Sequence, residues 1–380
     1  MTALDRRAAD TWFLRRGLPS VVTARARWRR LGPRSAPAMA TLAVLLLVGP
    51  LLSLVNGNSR IHIEGDPTPR EWAVIAVLLA VIPAMLMVAK LVSRITDDRW
   101  RLVIAIGALV LCVGQDLLSS PRSNVPLEIL GTSVAVGLVL VANGSGIGAV
   151  IGWGIRLTLS RFTAVGALFA RALPVVLLTV LVFFNGYVWS MAASISRDRM
   201  WLLIAFMTVI AVAFLATGLI DRARPLLAAA TVRETDSASL AATPFAAIAD
   251  PAEPDPPSRG ERVNVVFVLL ATQLIQIATV ATLTGGIFLA MGLIALSPEL
   301  LDTWTQGSPD QGTWLGMTLP VPQALIHVAM FLTALTFMYV SARSVGDGEY
   351  RAEYLDPLID DLRLTLVARS RYRAAIGINR

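Results

Sequence analysis

Residues 263–296 read VNVVFVLLATQLIQIATVATLTGGIFLAMGLIAL, 34 consecutive positions without a charged side chain. As a helix this stretch would be about 51 Å long at 1.5 Å per residue, against a hydrocarbon core about 30 Å thick. It exceeds one perpendicular crossing and must tilt, bend or fold back, with Gly285 and Gly286 offering a hinge. A segment of this length without a charged side chain has no charged side to show to water, so the bilayer is its solvent. Apolar blocks of similar kind recur outward from it, at about 38–55, 73–92 (kinked at Pro83), 102–118, 127–153, 173–193, 200–220 and 319–342. The sequence thus predicts an all-α polytopic bundle of about eight spans. Composition agrees: 55% of residues are hydrophobic and 16% charged, with mean hydropathy +0.66, where a soluble domain is about a quarter charged.

Between the spans the chain divides into a basic N-terminal segment (1–37), spans one to six (38–220), a linker (221–262), spans seven and eight (263–342) and a C-terminal segment (343–380). The linker ends IADPAEPDPPSRGER; its Pro, Asp, Glu and Ala content predicts disorder. Basic residues set the topology. With eight spans and an inside N-terminus, 28 of the 33 basic residues fall on the inner side and 5 on the outer. Splitting 263–296 into a two-span hairpin would give 21 and 12, so one long, bent seventh helix is the better reading. Both termini are then expected in the cytoplasm of a cell bearing this chain in its inner (plasma) membrane. The net charge of +7 reflects arginines that flank spans, which excludes the continuous exposed basic stripe of a nucleic-acid binder. Anionic lipid at the inner face is their expected partner.

Few polar groups fall inside the spans, and each is a candidate by that fact. Asp116 and Glu128 flank the short outer turn that carries Arg122, where they form either an interfacial cluster or a proton or cation entry site. His327 stands about 12 Å into the last span, and its expected partners are the amides of Gln273 and Gln276, three apart and so on one face of the seventh. Together these five residues make a candidate polar pathway. Gly144, Gly148 and Gly152 repeat every four residues and predict a smooth face for close helix packing. Ser145 within ANGSGIGAVIGWG resembles the nucleophile segment of rhomboid proteases. It lies about 27 Å deep by helical rise and His327 only about 12 Å, so the two do not meet as nucleophile and base. A single cysteine, Cys112, and two histidines without ligand spacing predict neither a disulfide nor a metal site, and no Walker motif is present, so no cofactor is expected.

Three polar segments read as helices at the membrane surface. RLTLSRFTAVGALFARALP (156–174) alternates arginines with apolar residues; the N-terminal tail carries Trp12, Phe13, Leu14 and Trp28 among its arginines. In the C-terminal segment Leu355, Leu358, Ile359, Leu362 and Leu366 keep a helical period, with aspartates early and Arg369, Arg371 and Arg373 late. That amphipathic helix is expected to dock on the protein itself, on lipid or on a protein partner.

RALPVVLLTVLVFFNGYVW at 171–189 and YRAEYLDPLIDDLRLTLVARSRYR at 350–373 resemble a family of uncharacterised actinobacterial integral membrane proteins. The resemblance covers most of the chain and implies its fold and location, with no activity to carry over. Gly186-Tyr187-Val188-Trp189 stands where that family tends to have Ala-Glu-Val-Trp, so a carboxylate is missing here. Two readings of function follow: an envelope-associated scaffold or accessory protein, or a secondary transporter or permease for a lipid or small solute.

Overall fold

The computed structural model describes residues 3–22, 28, 31–56, 68–119, 125–160, 179–228, 232–251, 256–306, 311–314 and 317–376. Over these the chain is helical, apart from a two-stranded sheet of Gln311–Trp314 and Met317–Pro322. The helices used below are α1 (Ala3–Arg15), α2 (Leu31–Asn56), α3 (Pro69–Arg94), α4 (Asp98–Ser119), α5 (Val125–Ser145), α6 (Ile147–Ser160), α7 (Gly186–Ser194), α8 (Arg197–Ala228), α9 (Asp236–Leu240), α10 (Arg259–Ala295), α11 (Pro298–Thr305), α12 (Gln323–Gly346) and α13 (Asp356–Ala375).

Among the described residues five helices are long and apolar enough to cross a membrane: Leu31–Leu52, Pro69–Arg94, Arg197–Leu227, Arg259–Ala295 and Gln323–Gly346. A bent pair, Ile129–Ser145 with Ile147–Ile155, brings the number to six if it is one span. The expected third span falls on α4, while most of the expected surface helix at 156–174 and the first part of the expected fifth span lie outside the described residues. Residues 259–295 form one helix, as the charge balance favoured.

The chain forms two compact units. One comprises Ala24–Gly148 with Gln311–Pro320. In it α2 packs on α3, α4 and α5, and small side chains allow close approach: Ala36 and Ala40 meet Ala105, and Ala43 packs with Ala108 and Cys112. A capping box starts α3, Thr68 accepting from the Glu71 N–H while the Glu71 carboxylate accepts from the Thr68 N–H. Only 6% of the apolar window of α3 is buried, leaving Leu79, Ile82 and Met87 to face outward.

The glycine stripe expected at 144, 148 and 152 is corrected by a helix break. Gly146 takes φ +94°, a conformation open to glycine, and the Ser145 hydroxyl accepts from the Ile147 N–H just beyond it. The three glycines therefore do not share one continuous face. A Cβ at Gly144 would stand 2.9 Å from the Trp28 indole, and one at Gly148 would stand 2.7 Å from Asn143 Oδ1. Nothing lies within 4 Å of such an atom at Gly152.

The other unit comprises Met1–Thr23, Ala149–Asp310 and Val321–Arg380, and α10 is its spine. A second capping box starts α10: Ser258 accepts from the Glu261 N–H, and Glu261 Oε2 accepts from the Ser258 N–H at 2.7 Å. Along its length α10 packs on α8 and α12. Gly292 seats Leu325 and Gly285 seats Thr333, so α10 and α12 run antiparallel. On the third side Gly218 of α8 seats Val345. The buried Thr272 and Thr284 and the partly buried Thr333 need no partner on another helix, since each donates to the carbonyl four residues back.

Gly285 and Gly286 are not a hinge, because the helix continues through them. They differ in surroundings, which yields a test. A Cβ at Gly285 would stand 1.9 Å from Thr333 Oγ1, whereas at Gly286 nothing lies within 4 Å. Gly285→Ala is expected to cost about 1–3 kcal/mol through overpacking, and Gly286→Ala to gain roughly 0.5–1 kcal/mol of helix propensity. Thermal unfolding in one detergent measures both, and Thr333→Ala should rescue Gly285→Ala.

Candidate functional site

His327, five residues into α12, is 2% exposed. Its Nε2 lies 2.7 Å from the Gln323 amide nitrogen and its Nδ1 lies 2.8 Å from the Ala192 carbonyl oxygen. The amide donates and the carbonyl accepts, which assigns the neutral Nδ1–H tautomer. Gln323 in turn accepts from Arg197 through its Oε1 at 3.1 Å. The result is a line of hydrogen bonds, Arg197 to Gln323 to His327 to Ala192, that ties α8, α12 and α7 together at one end of the unit.

The expected pairing of His327 with Gln273 and Gln276 does not form. In the antiparallel register Leu325 meets Gly292, so His327 stands level with about residue 290 of α10. Gln276 is then roughly 21 Å away along the axis at 1.5 Å per residue. The glutamines share a buried face as their spacing implied, but Gln273 meets the chain that follows α12: the Tyr350 hydroxyl donates to its Oε1 at 3.0 Å. Four buried atoms close to this level, Gln273 Nε2, Gln276 Oε1, Thr336 Oγ1 and Ser341 Oγ, have no hydrogen-bond partner. The side chains of Asp116, Arg122 and Glu128 lie outside the described residues. Ser145 donates its hydroxyl to the Ala142 carbonyl, and both His327 nitrogens are engaged, so neither is set up for nucleophilic chemistry. Among the described residues no three His, Cys, Asp or Glu side chains converge on a common point.

The densest polar construction lies at the Gln273 end, outside the spans, where α1, residues 232–251 and α13 come together. The expected disordered linker is corrected here over its described part, while residues 229–231 and 252–255 of it lie outside the described residues. α8 runs on to Ala228, and Phe245 of the linker is fully buried, 5.2 Å from the Phe13 ring and 5.0 Å from Trp12. Tyr372 closes the cluster against Phe13 at 5.5 Å. Such aromatic contacts bury large area with little rotamer cost, enough to order a segment poor in aliphatic residues.

Ion pairs register this head. Arg363 donates two hydrogen bonds of 2.7 Å to Asp236, and Arg371 grips Asp250 at 2.6 and 2.8 Å. Glu261 receives Arg369 at 2.9 and 2.8 Å and Arg373 at 3.0 Å. Arg369 and Glu261 are each 1% exposed. The C-terminal helix thus docks on its own chain, and the N-terminal helix packs on it through Phe13 and through the Tyr372 hydroxyl, which donates to Asp10 at 3.1 Å. Burial pushes the Tyr372 phenol up to about 12, with Asp10 adding to it, and burial also raises Asp10. Sequence reading missed these pairs, although a signal was present: an acidic segment and an arginine-rich helix in one chain.

No protein-family model, curated protein or solved structure matches the chain.

Two outcomes follow for the head. Arg369→Met leaves Glu261 buried with one partner fewer and is expected to destabilise the head by about 3–5 kcal/mol, with Glu261→Gln in the same chain recovering much of it. Protease accessibility of residues 232–251 reads this. The Asp236 carboxyl is held below the ordinary range by its hydrogen bonds from Arg363, against burial that raises it. A depressed carboxylate contributes stability that is full above about pH 4 and is lost as pH falls through the lowered value. Asp236→Asn should flatten that part of an acid titration followed by near-ultraviolet circular dichroism.

Proposed function

We propose that this chain is a multi-pass plasma-membrane scaffold or accessory protein with both termini in the cytoplasm; the resemblance to actinobacterial membrane proteins bears on its fold and location alone. The observation that carries the reading is the use made of the polar side chains. His327, the most promising titratable group within a span, is spent on holding three helices together, and it stands about 21 Å from the glutamine pair. A transport path needs such groups to line one route. The packing of α1 on α13 supports an even number of crossings, since both ends of the chain must lie on one side. Together with the 28 to 5 division of basic residues, it favours that side as the cytoplasm. Since α13 is buried in the chain's own head, a partner must read other surfaces, and deleting 350–380 would unfold the head rather than remove a docking site.

A permease for a lipid or small solute is the second reading. It is favoured by the unpartnered atoms of Gln273, Gln276, Thr336 and Ser341, which sit among helices where leaving a polar group unpaired is costly.

Native mass spectrometry of the protein extracted gently from its own membrane separates the two. A stoichiometric protein partner that persists in His327→Ala and Gln276→Leu is the outcome expected; a discrete bound solute lost in Gln276→Leu would establish the permease instead. Topology is read separately, in a Cys112→Ser background. Ser237→Cys should react with an impermeant maleimide only after the cells are opened, and Ser194→Cys in intact cells; the reverse pattern would invert the orientation.

A further inference from the structure

At the end of α10 and α12 remote from the head, the chain forms an open groove of about 660 Å³. It is built by two interruptions. The helix ending at Phe183 stops before Asn185, whose Oδ1 accepts from the Tyr187 N–H at 3.0 Å and starts α7. On the facing side α11 ends at Gln306, which turns the chain with φ 57°. Gly186 lies against the facing side, where a Cβ would stand at an ordinary contact distance of 3.5 Å from Trp304 Cδ1. Trp304 in turn packs on Trp189, with ring centroids 5.9 Å apart, and Trp189 is fixed by donating to the Phe183 carbonyl at 2.6 Å. The indole of Trp304 is thus a rigid floor at the level where the spans end.

The lining divides into two chemistries. Leu181 and Phe184, 71% and 48% exposed, continue the apolar outer surface of the bundle. Asn185, Ser190, Thr303 and Gln306 supply neutral polar groups. The Asn185 oxygen is taken by its cap, leaving the NH2 to donate. The Thr303 hydroxyl donates to the Glu299 carbonyl, leaving its lone pairs to accept. Ser190 and Gln306 can do both. None of the lining side chains is charged, and α11 carries Glu299 and Asp302 with no basic residue. Arg197, across from it in sequence, is turned to Gln323.

We infer that this groove binds one membrane lipid with an uncharged, hydroxyl-bearing headgroup. A phosphate or sulfate calls for donors and a cation; this mixture of donors and acceptors matches hydroxyls, which are both, and the acidic helix beside it repels an anion. The acyl chain lies along Leu181 and Phe184, the hydroxyls reach Asn185, Ser190, Thr303 and Gln306, and a ring face of the headgroup rests on Trp304. The inference rests on the chain being a membrane protein and is independent of whether it is a scaffold or a permease.

The test is native mass spectrometry of the full chain in detergent, supplied with equal amounts of monogalactosyl diacylglycerol and phosphatidylglycerol of the same acyl chains. A one-to-one galactolipid adduct should exceed the phosphatidylglycerol adduct by about fivefold or more. It should fall about tenfold in Ser190→Phe, which fills the groove, and severalfold in Gln306→Gly, which keeps the left-handed turn and removes the amide. Equal or greater retention of phosphatidylglycerol overturns the inference. So does a galactolipid adduct unchanged in both variants, each checked for unaltered thermal unfolding.

Discussion

The carboxylate of Glu261 is the point on which the described architecture turns. It closes the capping box of α10 through the Ser258 N–H, and it accepts from both Arg369 and Arg373 of α13. A carboxylate at a helix N-terminus is favoured by the helix dipole and by the otherwise unpaired amides of the first turn. Burying it to 1% exposure would be prohibitive without counter-charges, and two guanidinium groups supply them. One side chain therefore both begins the longest described helix and fixes the polar head to it. The register of the head then passes along α10 to α12 through Gly285 and Gly292, and so to the His327 end.

Within the apolar body the same constraint acts in a different form. A lipid-facing helix bundle has no water with which to pair stray polar groups, so each must be satisfied locally or across a helix interface. Thr272, Thr284 and Thr333 fold back onto their own helices. His327 is satisfied across three helices. Gln273 finds Tyr350 at the boundary with the head, which leaves its amide nitrogen, the Gln276 oxygen and the Thr336 and Ser341 hydroxyls among the exceptions. Gln273, Gln276 and Ser341 lie toward the end of the packed body that meets the polar head, where the surroundings change from apolar to ionic.

Much of this was legible in the sequence. The uninterrupted run 263–296 gave α10 as one helix, and the leucine period of 355–366 gave α13. What periodicity could not give was the partner of each face. The arginines late in α13 fit an exposed helix end equally well, and only the arrival of Asp236 and Asp250, more than a hundred residues away in sequence, makes them interior. The linker misled for a related reason: it has few aliphatic residues, but Phe245 and two aspartates are enough to anchor it when a complementary helix is present. His327 was recognised as buried, yet its partners depended on the α10–α12 register. That register is set by which glycine seats which side chain, and no local pattern encodes it. The break at Gly146 was hidden because a glycine every fourth residue reads as a packing stripe until one intervening glycine takes a positive φ.

The ion pairs also change what the basic residues do. Arginines that flank spans orient a chain as it enters the membrane, when they are unpaired and hydrated. After folding, Arg363, Arg369, Arg371 and Arg373 are each bound to a carboxylate of the head. Charge counted from the sequence therefore overstates the charge left to attract anionic lipid, since a neutralised pair contributes little field beyond its own contacts. On the proposed orientation, the C-terminal arginines act first as a topological signal and then as structural cations. The opposite end of the same helices shows no such cluster of ion pairs among the described residues and is held by the packing of Trp189 and Trp304 and by the hydrogen bonds that run from Arg197 through Gln323 and His327 to Ala192.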